Sequence, residues 1–163
     1  MRILTLIRHA KSSWDDPEVA DFDRPLNARG FRDASRMSLI FRKKLPPIEL
    51  LVTSPALRAR TTATMLAEGM DYPLDRIVTE SRLYEASLDT LSDLVSGLDN
   101  RYSHVALVAH NPGLENLAGY LGSDADHLPT CSAVTLEFAV DDWRAVGPRS
   151  GTRLAFEYPK KYR

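Results

Sequence analysis

The sequence predicts an α/β fold of three layers: a mostly parallel sheet, helices on both faces, and an antiparallel C-terminal edge. Two observations predict it. Three short apolar runs, residues 3–7, 48–52 and 105–109, barely alternate with polar residues, and helical patterns separate them. Strands covered on both faces read this way, and strand–helix alternation implies parallel pairing through right-handed crossovers. Near the C-terminus the pattern changes. Val134, Leu136, Phe138 and Val140 alternate with Thr135, Glu137 and Ala139, as half-buried antiparallel edge strands do.

Each element has its own warrant. Residues 3–7 form the first strand. Residues 12–25, charged and carrying two prolines, read as a surface loop. Asn27 is placed to cap a helix whose one face carries Phe31, Ala34, Ser38, Phe41 and Leu45, and Gly30 allows close packing near its start. After the strand at 48–52, a second helix follows on Leu57, Thr61, Thr64 and Met65. Residues 76–80 are a weaker strand candidate. Leu88, Leu91, Leu94, Val95 and Leu98 mark a third helix, and Leu114, Leu117, Ala118 and Leu121 a fourth. Leu154, Phe156 and Tyr158 alternate in a last strand, after a turn-rich stretch with Gly147, Pro148 and Gly151. There is no internal repeat or linker, so one domain is expected over residues 1–163.

Composition narrows the function classes. A chain of 163 residues is long enough for a proper core. A net charge of −1 gives no basic surplus for nucleic acid. No stretch approaches the roughly 20 apolar residues of a membrane span, and the N-terminal apolar run is too short for a signal-peptide core. The single cysteine, Cys131, excludes an internal disulfide framework and suits a reducing compartment. A cytoplasmic protein, favoured as a monomer, is the expectation.

In open α/β sheets, ligands bind beyond the carboxyl ends of the strands. The residues that follow the four predicted parallel strands are Arg8-His9-Ala10-Lys11, Thr53-Ser54-Pro55-Ala56-Leu57-Arg58-Ala59-Arg60, Arg82-Leu83-Tyr84-Glu85 and His110-Asn111-Pro112-Gly113. Two arginines and two histidines on one edge point to a phosphate site, since a guanidinium fork matches phosphate oxygens. Helices beginning after Pro55 and Pro112 would direct N–H groups at the same anion. No Walker-type or Gly-rich phosphate loop is present. His9, His110 and Asp23 lack the spacing of a metal-ligand set, and no metal or cofactor is expected.

These segments carry a resemblance. Arg8-His9-Ala10 resembles the Arg-His-Gly signature of the histidine phosphatase superfamily. Ser54-Pro55-Ala56-Leu57-Arg58-Ala59, with Thr62 soon after, resembles its second arginine motif, and Val108-Ala109-His110-Asn111-Pro112-Gly113 its second histidine motif. Asp23-Arg24-Pro25-Leu26-Asn27-Ala28-Arg29-Gly30 is similar to the segment that opens the first helix in the SixA-type branch. The resemblance implies a phosphoglycerate mutase-like fold. It implies that His9 takes the phosphoryl group, while Arg8, Arg58 and a protonated His110 hold its oxygens. It also implies that Glu85, after the third strand, is a candidate acid for the leaving group. Ala10 departs from the signature glycine, so the backbone there should be right-handed.

The remaining residues have plainer readings. Arg60 reads as a surface residue, His104 and His127 as incidental, and Cys131 as small and buried. Trp14 and Trp143 fit either a substrate surface or core packing. Little chain is left between Glu85 and the Leu91 helical face for a lid, so an open site is expected. With the resemblance, that implies a phosphohistidine phosphatase acting on histidine-phosphorylated proteins. The alternatives are a small-molecule phosphomonoesterase and a phosphate-binding module with little turnover.

Overall fold

The computed structural model describes residues 1–123 and 127–163. The first apolar run becomes β1 (Arg2–Arg8), which lies inside a sheet with β2 (Leu50–Thr53), β3 (Val78–Thr79), β4 (His104–Ala109), β5 (Ala133–Phe138) and β6 (Gly151–Glu157). Their spatial order is β3-β2-β4-β1-β5-β6. β1, β2, β3 and β4 pair in parallel, whereas β5 runs antiparallel to both β1 and β6. Among the described residues, four α-helices connect the strands: α1 (Ala28–Lys44), α2 (Leu57–Gly69), α3 (Leu88–Ser96) and α4 (Gly113–Leu121).

The alternation of β4 explains its unbroken apolar sequence. Val105, Leu107 and Ala109 enter a core with Leu91, Leu94, Leu114 and Leu117 of α3 and α4. Ala106 and Val108 enter a second core with Ala34, Met37, Phe41, Ala63 and Leu66 of α1 and α2. Two helices on each face make the three layers.

Several expectations need correction. The buried face of α2 is Arg58, Ala59, Thr62, Ala63, Leu66 and Ala67, not Leu57, Thr61, Thr64 and Met65. Its alanines let the helix lie close to α1 and the sheet, and the same rotation turns Arg58 inward. In α1, Phe31 is 46 % exposed, while Gly30, Asp33 and Met37 join Ala34, Ser38 and Phe41 on the buried side. β3 shrinks to two residues because 74–76 form a 3₁₀ turn. β5 is buried on both faces: Val134, Leu136 and Phe138 pack in one core, while Ala133 packs in the other and Thr135 bonds Thr5 Oγ1 at 2.9 Å. On the edge strand β6, Leu154 is exposed.

Asn27 caps α1 as its sequence position indicates, its side chain accepting from Gly30 N at 2.8 Å. Gly30 is required for space. A Cβ there would lie 2.1 Å from the carbonyl oxygen of Lys11. Gly30→Ala must displace the loop that leaves β1, so it should destabilise the protein by about 1–3 kcal/mol. A urea midpoint unchanged from wild type would show that the loop yields freely.

Candidate active site

The carboxyl ends of β1, β2 and β4 bring Arg8, His9, Arg58 and His110 to one cleft of about 610 Å³. β1 is pinned there from both sides. His9 N–H donates to Ala109 O at 3.1 Å, while Cys131 N–H donates to the carbonyls of Arg8 and His9 at 2.9 and 3.0 Å. Ala10 is fully buried and lies outside the positive-φ residues, as a right-handed turn requires. Its N–H donates to Thr62 Oγ1 at 3.0 Å, and that hydroxyl donates to Arg58 O at 2.8 Å. Thr62 thus ties the His9 turn to the helix that carries Arg58.

His9 is held in one tautomer. Its Nδ1 lies 2.7 Å from Ala10 O, a carbonyl that can only accept, so Nδ1 carries the proton and Nε2 is free. Arg58 Nε–H faces that free nitrogen at 3.4 Å. Burial pushes the His9 pKa down to about 3; nearby His110, Arg58 and Arg8 push the same way against the Ala10 bond. His9 therefore presents a neutral ring nitrogen at neutral pH.

The expected protonated His110 needs correction for the protein by itself. Burial first, and then Arg58, lower its pKa to about 4. Its Nε2 lies 2.7 Å from Ser54 Oγ, while its buried Nδ1 has no protein partner. The ring stands 5.1 Å from that of His9, centre to centre. Arg8 Nη1 donates to Leu128 O at 3.0 Å, and its buried Nε is unpartnered. Asn111, which also lines the cleft, has an unpartnered buried Oδ1, an acceptor; the two unpartnered nitrogens, Arg8 Nε and His110 Nδ1, mark where a ligand's oxygens can be received.

Sequence reasoning missed Asp21. The loop expected to be pure surface folds back so that Asp21 O accepts from Arg58 Nη1 at 2.7 Å and Asp21 Oδ2 from Arg58 Nη2 at 3.1 Å. Tyr84 OH donates to the same Oδ2 at 2.6 Å. The Tyr84 bond first, and then Arg58, hold the Asp21 carboxyl down at about 2. Asp21 takes the end of the guanidinium and leaves its Nε side towards His9. Arg24, 7 % exposed, supports this loop through Ser12 Oγ at 2.6 Å and Asp21 Oδ1 at 3.2 Å. The only sequence signal for Asp21 was its nearness to the Arg24-Pro25-Leu26-Asn27 segment.

The other candidates separate by position. Glu85 borders the cleft and is exposed, with a φ of 55° that L residues seldom adopt. Asp23 lies outside the residues lining the cleft, and among the described residues no cluster of three acidic, histidine or cysteine side chains forms a metal set. Arg60 is exposed and donates to Pro55 O. His104 is buried between Thr5 Oγ1 and Pro47 O, a structural role. His127 pairs with Glu115 at 2.8 Å. Cys131 is buried, and burial pushes its thiol well up, so it is no nucleophile. Trp143 packs in the core, whereas Trp14 borders the cleft, 71 % exposed, with the Arg24 guanidinium over its ring.

Comparison with known proteins gives this arrangement a family. The sequence profile of the histidine phosphatase superfamily (branch 1) matches residues 4–111. An uncharacterized protein of Mycobacterium tuberculosis is 31 % identical over 165 residues, covering 94 % of this chain and all of the relative. A SixA protein of Agrobacterium tumefaciens is 26 % identical, with a TM-score of 0.81 over 97 % of this chain and 98 % of that one. The fold also matches a SixA protein histidine phosphatase complexed with tungstate, with a TM-score of 0.84, 19 % identity and 99 % coverage of both chains. No helix among the described residues is long and apolar enough to cross a membrane. With two-thirds of its length matched by that profile and its fold matched end to end by SixA structures, the chain belongs to the histidine phosphatase superfamily, in the SixA-type branch.

Proposed function

We propose that this protein is a phosphatase that works without a metal, through a phosphohistidine intermediate on His9, and that its substrates are proteins phosphorylated on histidine. The observation that carries the reading is the state of His9: neutral, with Nδ1 locked by a carbonyl and Nε2 free beside Arg58. Such a nitrogen can attack phosphorus in line while Arg8, Arg58 and His110 take the equatorial oxygens. Phosphoryl transfer needs mainly this positioning and charge stabilisation. Water then hydrolyses the intermediate and returns His9 to its neutral form.

The substrate class follows from the cleft's rim. The chain passes from Glu85 to α3 within three residues, which leaves no length for a lid there. An open rim with an exposed tryptophan suits a side chain presented on another protein. The SixA name of the matched structures supports the same reading.

The test is phosphate release, with chelator present, from a histidine-phosphorylated protein and from an aryl phosphate. Strong preference for the protein supports the proposal. Preference for the aryl ester favours a small-molecule phosphomonoesterase, and release that stops with chelator sinks metal independence. Phosphate binding without release favours a binding module.

Glu85 separates the two enzyme readings further. It makes no hydrogen bond or ion pair among the described residues and stands at the rim, free to reach a leaving group. Glu85→Gln should slow aryl or alkyl ester hydrolysis by ~10²-fold, because an oxygen leaving group needs the proton. Loss from phosphohistidine should be smaller, since its nitrogen is protonated more readily. Equal losses would remove Glu85 from the role of acid.

A further inference from the structure

We infer that Ser54 is a positioning residue that fixes His110 as a neutral donor, with its proton on Nδ1 facing the cleft. This rests on the proposed phosphoryl site and goes beyond it, because it names the group that sets which nitrogen meets the phosphoryl oxygen. Ser54 is the first residue after β2 and is fully buried. Its hydroxyl has two neighbours: the N–H of Ala56, which donates to Oγ at 3.3 Å, and His110 Nε2 at 2.7 Å. An N–H can only donate, so Oγ accepts from Ala56. The hydroxyl proton then has one place to go, the Nε2 lone pair of His110.

That assignment satisfies every partner. Nε2 accepts, so in the neutral ring the proton sits on Nδ1. Nδ1 is the buried atom that lacks a protein partner, on a ring that lines the cleft. The reverse arrangement, Nε2–H donating to Oγ, would leave the serine proton unspent and turn an acceptor towards an anion. His9 and His110 then hold their protons on the same atom by different means and for opposite uses. The Ala10 carbonyl takes the His9 Nδ1 proton and frees Nε2 to attack, while Ser54 occupies the His110 Nε2 and leaves Nδ1–H to donate.

The experiment is ¹⁵N NMR of the imidazoles in full-length protein at neutral pH. Among four histidines, the His110 signals are identified by their loss in His110→Gln. Wild type should show a protonated Nδ1 and a bare Nε2. Ser54→Ala should shift the ring towards Nε2–H and weaken inorganic phosphate binding about tenfold, and Ser54→Thr should restore both. A wild-type ring protonated on Nε2, or an unchanged tautomer in Ser54→Ala, overturns the inference. If Ser54→Ala does not fold, the wild-type spectrum decides alone. The tautomer is read without turnover. An inactive protein with the Nδ1–H form therefore counts against the proposed function only, and an active protein with the Nε2–H form against this inference only.

Discussion

His9→Ala should abolish phosphoenzyme formation and lower turnover at least ~10⁴-fold, because it removes the nucleophile rather than a supporting contact. Rapid quenching at alkaline pH, which preserves phosphohistidine, would show labelled intermediate in wild type and none in the variant. Undiminished turnover would end the mechanism. The same substitution has a second readout. Folded His9 is held near a pKa of about 3, chiefly by burial, whereas the unfolded chain takes up that proton below about 6.5. As pH falls through this window the unfolded state binds more protons, so wild-type stability declines. His9→Ala should lose stability less steeply between pH 6.5 and 4, as measured by urea unfolding. His104 and His110 are also lowered by burial, so some slope persists. A variant with the full wild-type slope would mean that His9 is not held neutral by the fold.

Arg58→Ala carries the second large effect. Loss of one preorganised charged donor costs roughly 10²–10³-fold, about 3–4 kcal/mol. Here the loss should exceed that of a lone donor, because the Asp21 carboxylate, still held by Arg24 and Tyr84, is left beside the cleft without the Arg58 charge. An anion would then meet a negative group where it had met a cation. The double variant Asp21→Asn/Arg58→Ala should recover part of the lost phosphate affinity, and the cycle isolates the coupling. Asp21→Asn alone should weaken catalysis by loosening Arg58 while sparing the fold. Additive effects would mean that Asp21 and Arg58 act independently, contrary to their two hydrogen bonds.

Much of this protein was legible from local sequence. Apolar runs identified β1, β2 and β4, because a strand buried on both faces has few polar positions to interrupt it. The motif residues Arg8, His9, Arg58 and His110 were singled out because each lies at a strand's end or soon after it, and strand ends share one edge of a parallel sheet. Asn27 was legible because a cap is set within a few residues of chain, whereas the close approach that requires Gly30 is made to Lys11, on the loop that leaves β1. The α2 face was misread because its buried side is mostly alanine, and alanine scarcely marks a hydrophobic stripe.

Tertiary structure decided the rest. That Asp21 closes on Arg58 and Tyr84 depends on how a loop of 14 residues folds back over the cleft, which no periodicity records. The proton positions of His9 and His110 depend on a carbonyl one residue away and a hydroxyl 56 residues away. Their neutrality depends on burial by elements distant in sequence. Pattern along the chain determines which residues arrive at the sheet edge. Hydrogen-bond partners and desolvation, which exist only once the chain is packed, determine the chemical state in which they arrive.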